Sequence, residues 1–273
     1  MKIRDHYLDE DVVVRKETPN RSGPFGNGLP DTIIIHYTAG GSAESSVNTL
    51  CDPKTKASAH LVIGREGSIY QLVPFNLIAW HAGRSAHQGR VGFNKYAIGI
   101  ELDNAGRLTK SGEEYVSWFG RAYPENEVVE AVHRNESEPS CWHRYTEEQI
   151  AISQDICADL IENYGITSIL GHEEVSPGRK VDPGPAFPMD KLRELLLYRD
   201  RGAEVQEEPS PFPFKGVVTA SKLNIRQSPR LKAGTVAAPL TKGTIVEILR
   251  EENGWYEVDV KMRGWVKKEY IKA

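Results

Sequence analysis

The sequence predicts an α/β domain, a mixed sheet flanked by helices, followed by a small all-β barrel. Three observations predict it. Short apolar, β-branched runs alternate with helical periodicity over residues 1–200. A polar, acidic and then Pro-rich stretch, RDRGAEVQEEPSPFPFKG, breaks the pattern at 199–216. After it, strand signals of four to six residues alternate with NG, KG and RG turns. The division is therefore 1–200, a linker over 201–215, and a β-domain over 216–273.

Each element has a local reason. TIIIHY (32–37) is a short β-branched apolar run and reads as a buried strand. SAESSVNTLCD (42–52) reads as a helix opened by Ser42, with Glu44 near its positive end. HLVIG and SIYQLV (60–73) flank a Gly-containing turn and predict a hairpin. YAIGIEL (96–102) is a strand in which Gly99 permits close approach of a neighbour. TEEQIAISQDICADLIENYG (146–165) is the strongest helix. Thr146 and Gln149 form a capping-box pattern, Ile150, Cys157, Ile161 and Tyr164 share a face, and Gly165 marks the stop. SILGH (168–172) is a short strand and MDKLRELLLYRD (189–200) an amphipathic helix. In the last domain, VEILREENGWYEVDV is a hairpin about Asn253-Gly254.

Bulk properties exclude several classes. Among 273 residues, 26% are charged and the net charge is −4, so no electrostatic argument points to nucleic acid. No run of 18 apolar residues offers a membrane span. The N-terminus MKIRDHYLDEDVVVRKE lacks the apolar core of a secretory signal, so cytoplasmic synthesis is expected. Cys51, Cys141 and Cys157 are odd in number and lack CxxC spacing, which argues against a disulfide framework or a four-cysteine zinc site.

The chemistry concentrates in GHEEVSPGRKVDPGPAFP (171–188), where His172, Lys180 and Asp182 share a Gly/Pro-rich segment. His36 closes the TIIIHY strand and Glu101 lies inside an apolar strand, where a carboxylate must be paired, metal-linked or shifted in pKa. Two histidines and an aspartate suit catalytic zinc, which takes three protein ligands and keeps one position open. A histidine at a strand end also reads as a hydrogen-bonded structural group, Asp182 before Pro183 as a turn former, and Lys180 as a solvated loop residue. His60, His81, His133 and His143 compete, and spacing alone does not rank the eight histidines.

Taken in order over roughly residues 30–197, IIIHYTAG, ASAHLVIGREGSIYQLVPFNLIAWHAG, NKYAIGIELDN and GHEEVSPGRKVDPGPAFP resemble the zinc-dependent N-acetylmuramoyl-L-alanine amidases of the type-2 group. That group is related to peptidoglycan recognition proteins and phage T7 lysozyme. AWHAG and KVDPGPAF are similar to signatures of its cytosolic anhydro-muropeptide branch. The resemblance implies an amidase-like mixed sheet and a Zn2+ cofactor held by His36, His172 and Asp182. It implies that Glu101 activates the attacking water, that Lys180 stabilises the oxyanion, and that His60 and His81 shape the site or contact substrate, with Trp80 a further substrate-binding residue. Some relatives carry Tyr before the position of His60; here it is Ala59, so Glu101 bears more of the case. The reaction implied is hydrolysis of the amide between N-acetylmuramic acid and L-alanine, in peptidoglycan or muropeptides. The alternative is a non-catalytic muropeptide recognition protein, whose members typically lack a zinc ligand.

LNIRQSP, KGTIVEILREENGWYEV and GWVKKEYI resemble a bacterial SH3 domain, which implies cell-wall binding. Trp255, Tyr256, Trp265 and Tyr270 are candidates for its aromatic surface, with barrel packing the competing role for Trp255 and Trp265. RAYPENEVVEAVHRNESEPSCWHRY (121–145) departs from the family as a long insertion. It is expected to form an ordered lid or substrate wall that sets glycan preference. The setting is either an endolysin released onto the wall or a cytosolic enzyme acting on imported fragments.

Overall fold

The computed structural model describes residues 1–10, 12–198, 213–252 and 254–260. The chain divides into two compact units, Met1–Asp200 and Arg201–Ala273.

The first unit is organised by a six-stranded mixed sheet. Its strands run Ser168–Gly171, Thr32–Tyr37, Ala97–Leu102, Leu61–Ile63, Ile69–Gln71 and Val13–Arg15 across the sheet. The first four are mutually parallel, and Leu61–Ile63 turns back on Ile69–Gln71 as the predicted hairpin. The Val13–Arg15 edge strand was not predicted. It is largely exposed, so it carries no apolar alternation for a pattern to reveal.

Period-two alternation assigns the two faces. Ile33, Ile35, Ile98, Ile100 and Leu102 point into the main core with Ile152, Ile156, Cys157 and Leu160 of the Glu147–Tyr164 helix. Ile34, Ala97 and Leu170 face the other way, against Ala82, Phe93 and Val175. His36 and Glu101 follow Ile34 and Ala97 in that alternation and so share this second face. Each large apolar side chain so buried contributes roughly 1.5–3 kcal/mol.

The helix caps match the sequence. Ser42 accepts from the Ser45 N–H at the start of the Ala43–Cys51 helix. The Thr146 hydroxyl accepts from the Gln149 N–H at 3.1 Å, and the Gln149 side chain returns the bond at 3.2 Å. Gly165 closes this helix at φ 65°. The buried stripe, however, is rotated from the expected one. Gln149 is drawn inward, its amide donating to the carbonyls of Ile63 and Asp103. That brings Ile152, Ser153, Ile156 and Leu160 under the sheet and leaves Ile150, Ile161 and Tyr164 at its margin.

Two boundaries also differ. The Ser168–Gly171 strand stops before His172, because the Glu174 side chain accepts from the Gly171 N–H and opens a helical turn over His172–Val175. The last helix ends at Leu197. The expected insertion is the end of a larger unit: a five-stranded antiparallel sheet whose strands run from Arg107 to His143.

The second unit has a three-stranded sheet of Phe214–Val217, Ile245–Glu252 and Trp255–Asp259, with a core of Val218, Leu240, Val246 and Ile248. Its first strand starts inside the stretch expected to be linker. Most of that linker, with Asn253, Trp265 and Tyr270, lies outside the described residues. Trp255 is half-buried, and Tyr256 is exposed with its ring edge-on to Phe214.

Candidate metal centre

His36 is the penultimate residue of its strand and stands beside Glu101 in register on the neighbouring parallel strand. His172 begins the turn after the adjacent strand on the other side. Asp182 arrives from the loop that follows. All three ligand candidates are buried. His36 Nδ1, His172 Nδ1 and Asp182 Oδ2 form a triangle with sides of 3.0, 3.0 and 2.9 Å.

Proton bookkeeping shows what this triangle is for. Main-chain carbonyls can only accept, so each imidazole nitrogen facing one must donate. His81 Nε2 faces the Ala97 carbonyl at 3.0 Å and carries its proton, leaving Nδ1 as an acceptor. His36 Nε2, 2.9 Å from that Nδ1, must donate to it. Burial, reinforced by His172, pushes the His36 imidazole down to about 4, so it holds one proton at neutral pH and its Nδ1 is bare. His172 Nε2 lies 3.1 Å from the Ala82 carbonyl and 3.3 Å from an Arg179 guanidinium nitrogen, and in the tautomer that donates to Ala82 its Nδ1 is bare as well. In that tautomer three lone-pair atoms converge with no proton between them. Such an arrangement is repulsive on its own and fits a cation, and the donor set of two imidazoles and one carboxylate is a zinc set. Among the described residues, no other three such side chains bring their ligand atoms within 4.8 Å of one another.

Glu101 is the second unsatisfied element. Its Oε2 is buried and has no hydrogen-bond partner. Burial first, and Asp182 second, raise its carboxyl to about 8 against the opposing charge of Lys180. Lys180 is half-buried in the same loop, and its charge bears on both Glu101 and His36. Arg179, next to it, ties the loop down by donating to the carbonyls of Ala82 and Arg84 and to the Ser176 hydroxyl.

The expected substrate contacts divide. His81 shapes the site: it is buried and holds the His36 ring, its own two nitrogens both used. It reaches His36 by lying across Gly99, where a Cβ would come within 2.3 Å of the ring. His60 is fully buried, close to Phe25 and Phe75, with Nδ1 accepting from the Gly99 N–H and Nε2 donating to the Leu77 carbonyl. Neither ring has a nitrogen left for a ligand. Trp80 is half-buried, its Nε1 donating to the Ser22 hydroxyl.

The residues that sequence reasoning passed over are Glu173 and Tyr145, and His133 stood there only as one histidine of a polar stretch. The Glu173 carboxylate accepts from His133 Nε2 at 2.8 Å and from the Gly184 N–H at 3.0 Å. The Tyr145 hydroxyl donates to the Pro183 carbonyl. No motif signals the His133–Glu173 and Tyr145–Pro183 pairs, whose partners lie 40 and 38 residues apart.

Residues 26–185 match the N-acetylmuramoyl-L-alanine amidase family, and residues 221–272 match the bacterial SH3 domain. N-acetylmuramoyl-L-alanine amidase AmiD of Escherichia coli K12 is 32% identical over 171 residues, 59% of this chain and 51% of that one. The 1,6-anhydro-N-acetylmuramyl-L-alanine amidase AmpD of the same strain is 33% identical over 141 residues, 52% of this chain and 59% of that one. The chain thus spans between half and three-fifths of the length of these relatives. A crystal structure of a selenomethionine AmpD derivative superposes with a TM-score of 0.51 at 25% identity, covering 72% of this chain and 99% of that one.

Proposed function

From the premise that the chain belongs to the N-acetylmuramoyl-L-alanine amidase family, we propose that it hydrolyses the amide between N-acetylmuramic acid and L-alanine, with zinc held by His36, His172 and Asp182. The observation that carries this reading is the triangle of potential ligand atoms beside the buried, unpartnered Oε2 of Glu101. A recognition protein has no need of both. Zinc at that position supplies Lewis acidity toward an amide carbonyl and toward water.

The chain's own residues do the rest. Glu101, with a carboxyl raised into the working range, takes a proton from water and returns it to the leaving amine of L-alanine. Lys180 places a positive charge where the carbonyl oxygen gains negative charge. His81 holds His36 in the tautomer that leaves Nδ1 bare. Trp80 contributes an apolar wall. The SH3-like unit binds cell wall and holds the enzyme on polymeric substrate.

Digestion of a muramyl peptide tests this. Mass spectrometry should show a stem peptide with a free L-alanine amino group and an intact muramyl sugar. A cut anywhere else in the molecule contradicts the reading. Turnover of whole sacculi against soluble anhydro-muropeptides then separates a wall enzyme from a recycling one.

The sheet over Arg107–His143 has an outer role in the same reading. Trp118 is 77% exposed, yet its indole N–H is fixed to the Ala39 carbonyl at 2.8 Å, three residues after His36. A cavity of about 260 Å³ begins at Gly40, next in the chain to Ala39, and is lined by Gly41, Arg65, Asp103 and Arg121 among others. A pinned, exposed indole next to hydrogen-bonding groups suits stacking of a sugar ring. Trp118→Ala should therefore weaken use of glycan-bearing substrate several-fold in KM, with kcat on a minimal muramyl peptide unchanged. Equal kinetics on both substrates would remove Trp118 from the glycan path.

A further inference from the structure

The antiparallel sheet over Arg107–His143, part of which was expected as an insertion, touches the loop that carries Asp182. We propose that His133 is a positioning residue for the metal ligand Asp182, acting through Glu173, and that this sheet braces the metal centre from behind. The inference rests on the zinc reading above.

Asp182 sits in a loop, and a loop ligand is only as well placed as its backbone. Each of three consecutive residues there is pinned. The Asp182 carbonyl accepts from the Glu173 N–H at 2.8 Å. The Pro183 carbonyl accepts from the Tyr145 hydroxyl at 2.8 Å. The Gly184 N–H donates to Glu173 Oε2 at 3.0 Å. Glu173 therefore grips the loop on both sides of Pro183, once with its main chain and once with its side chain. It is also the residue next to the ligand His172, so both ligands move with it.

What holds Glu173 is the sheet. His133 follows the Val128–Val132 strand. Its Nδ1 accepts from the Asn135 N–H, so Nε2 carries the proton and donates to Glu173. Asn135 adds a bond from its amide to the Glu173 carbonyl at 3.3 Å, and Arg134 pairs with Glu174 at 2.6 Å. His133 and Glu173 are both buried, so no water replaces a lost partner. Trp142, on the paired strand, stacks near His133 at 5.6 Å between ring centres and covers Gly184. Gly184 lies at φ +73°, and a Cβ there would meet the indole at 2.8 Å, so the loop and the sheet are in direct van der Waals contact. Deleting the sheet would remove this brace along with any substrate wall, which is why point substitutions are needed.

The test is zinc affinity, measured by chelator competition at a temperature where circular dichroism shows the variants folded. His133→Phe keeps the ring on Trp142 and removes the donor. It should bind zinc about 10–100-fold more weakly, the size typical of lost support behind a ligand. His133→Gln, whose amide can donate to Glu173, should recover part of that loss. Glu173→Ala should weaken zinc at least as much, and adding His133→Phe to it should cost little more. A folded His133→Phe protein with wild-type zinc affinity overturns the proposal. So does an equal loss in His133→Gln and His133→Phe, since the donor is then irrelevant. A wild-type chain that binds no zinc overturns instead the metal reading on which the brace depends.

Discussion

Asp182→Ala should abolish stable zinc binding and lower hydrolysis of a muramyl peptide by about 10³-fold or more. The magnitude follows from losing the several kcal/mol that Lewis-acid catalysis supplies, at roughly 1.4 kcal/mol per factor of ten. Asp182 is the single anionic member of the triangle, and its Oδ2 lies 2.9–3.0 Å from both imidazole nitrogens. Without it, two neutral nitrogens remain. His172→Ala should behave alike, because it too opens the triangle. Metal analysis of the purified variants and single-turnover hydrolysis check both. Retained zinc in Asp182→Ala, with activity within tenfold of wild type, would move the metal away from this cluster.

Glu101→Gln should separate catalysis from stability. The carboxyl that would move the proton becomes an amide of the same shape, and kcat should fall about 10²–10⁴-fold while zinc is retained. In metal-free protein the same change should stabilise the fold at alkaline pH. The sign follows from linkage. Burial, then Asp182, raises the folded carboxyl from its ordinary 4.5 to about 8. Below pH 4.5 the group is protonated in both folded and unfolded chains and costs nothing. As pH rises toward 8, the unfolded chain ionises freely while the fold resists, so stability is lost across that window. Glutamine does not titrate. Thermal melts of metal-free protein should show no gain for Glu101→Gln at pH 4 and a clear gain at pH 8. Equal melts at pH 8 would mean that the Glu101 carboxylate is better solvated than its orphaned Oε2 implies.

The parts of this site that the sequence disclosed are those that travel as motifs. His36 ends an unmistakable β-branched strand, and His172 and Asp182 sit in one Gly/Pro-rich segment, so resemblance alone brought together residues 136 and 146 positions apart. Glu101 was legible because a carboxylate in an apolar strand demands an explanation. The roles of His60 and His81 were not legible. The His81 ring fits because Gly99 leaves room for it, the His60 ring accepts from the Gly99 N–H, and what a ring fills across a sheet is not written along the chain. Glu173 was hidden beside the ligand candidate His172, in a run of two glutamates that reads equally well as solvated charge. The rotated face of the Glu147–Tyr164 helix has a similar origin: Gln149 was read for its cap, and its second task of reaching two main-chain carbonyls draws the buried stripe toward it.

On the proposed function, one zinc ion at His36, His172 and Asp182 is required for cleavage of the muramyl–alanine bond. Zinc titrated into chelator-stripped protein, with hydrolysis of a muramyl peptide followed, tests this. Stripped protein should show no measurable turnover, and activity should recover linearly and break at one zinc per chain. Full turnover in protein holding less than about a tenth of an equivalent of any metal, by the stoichiometry expected of a catalytic site, would contradict it.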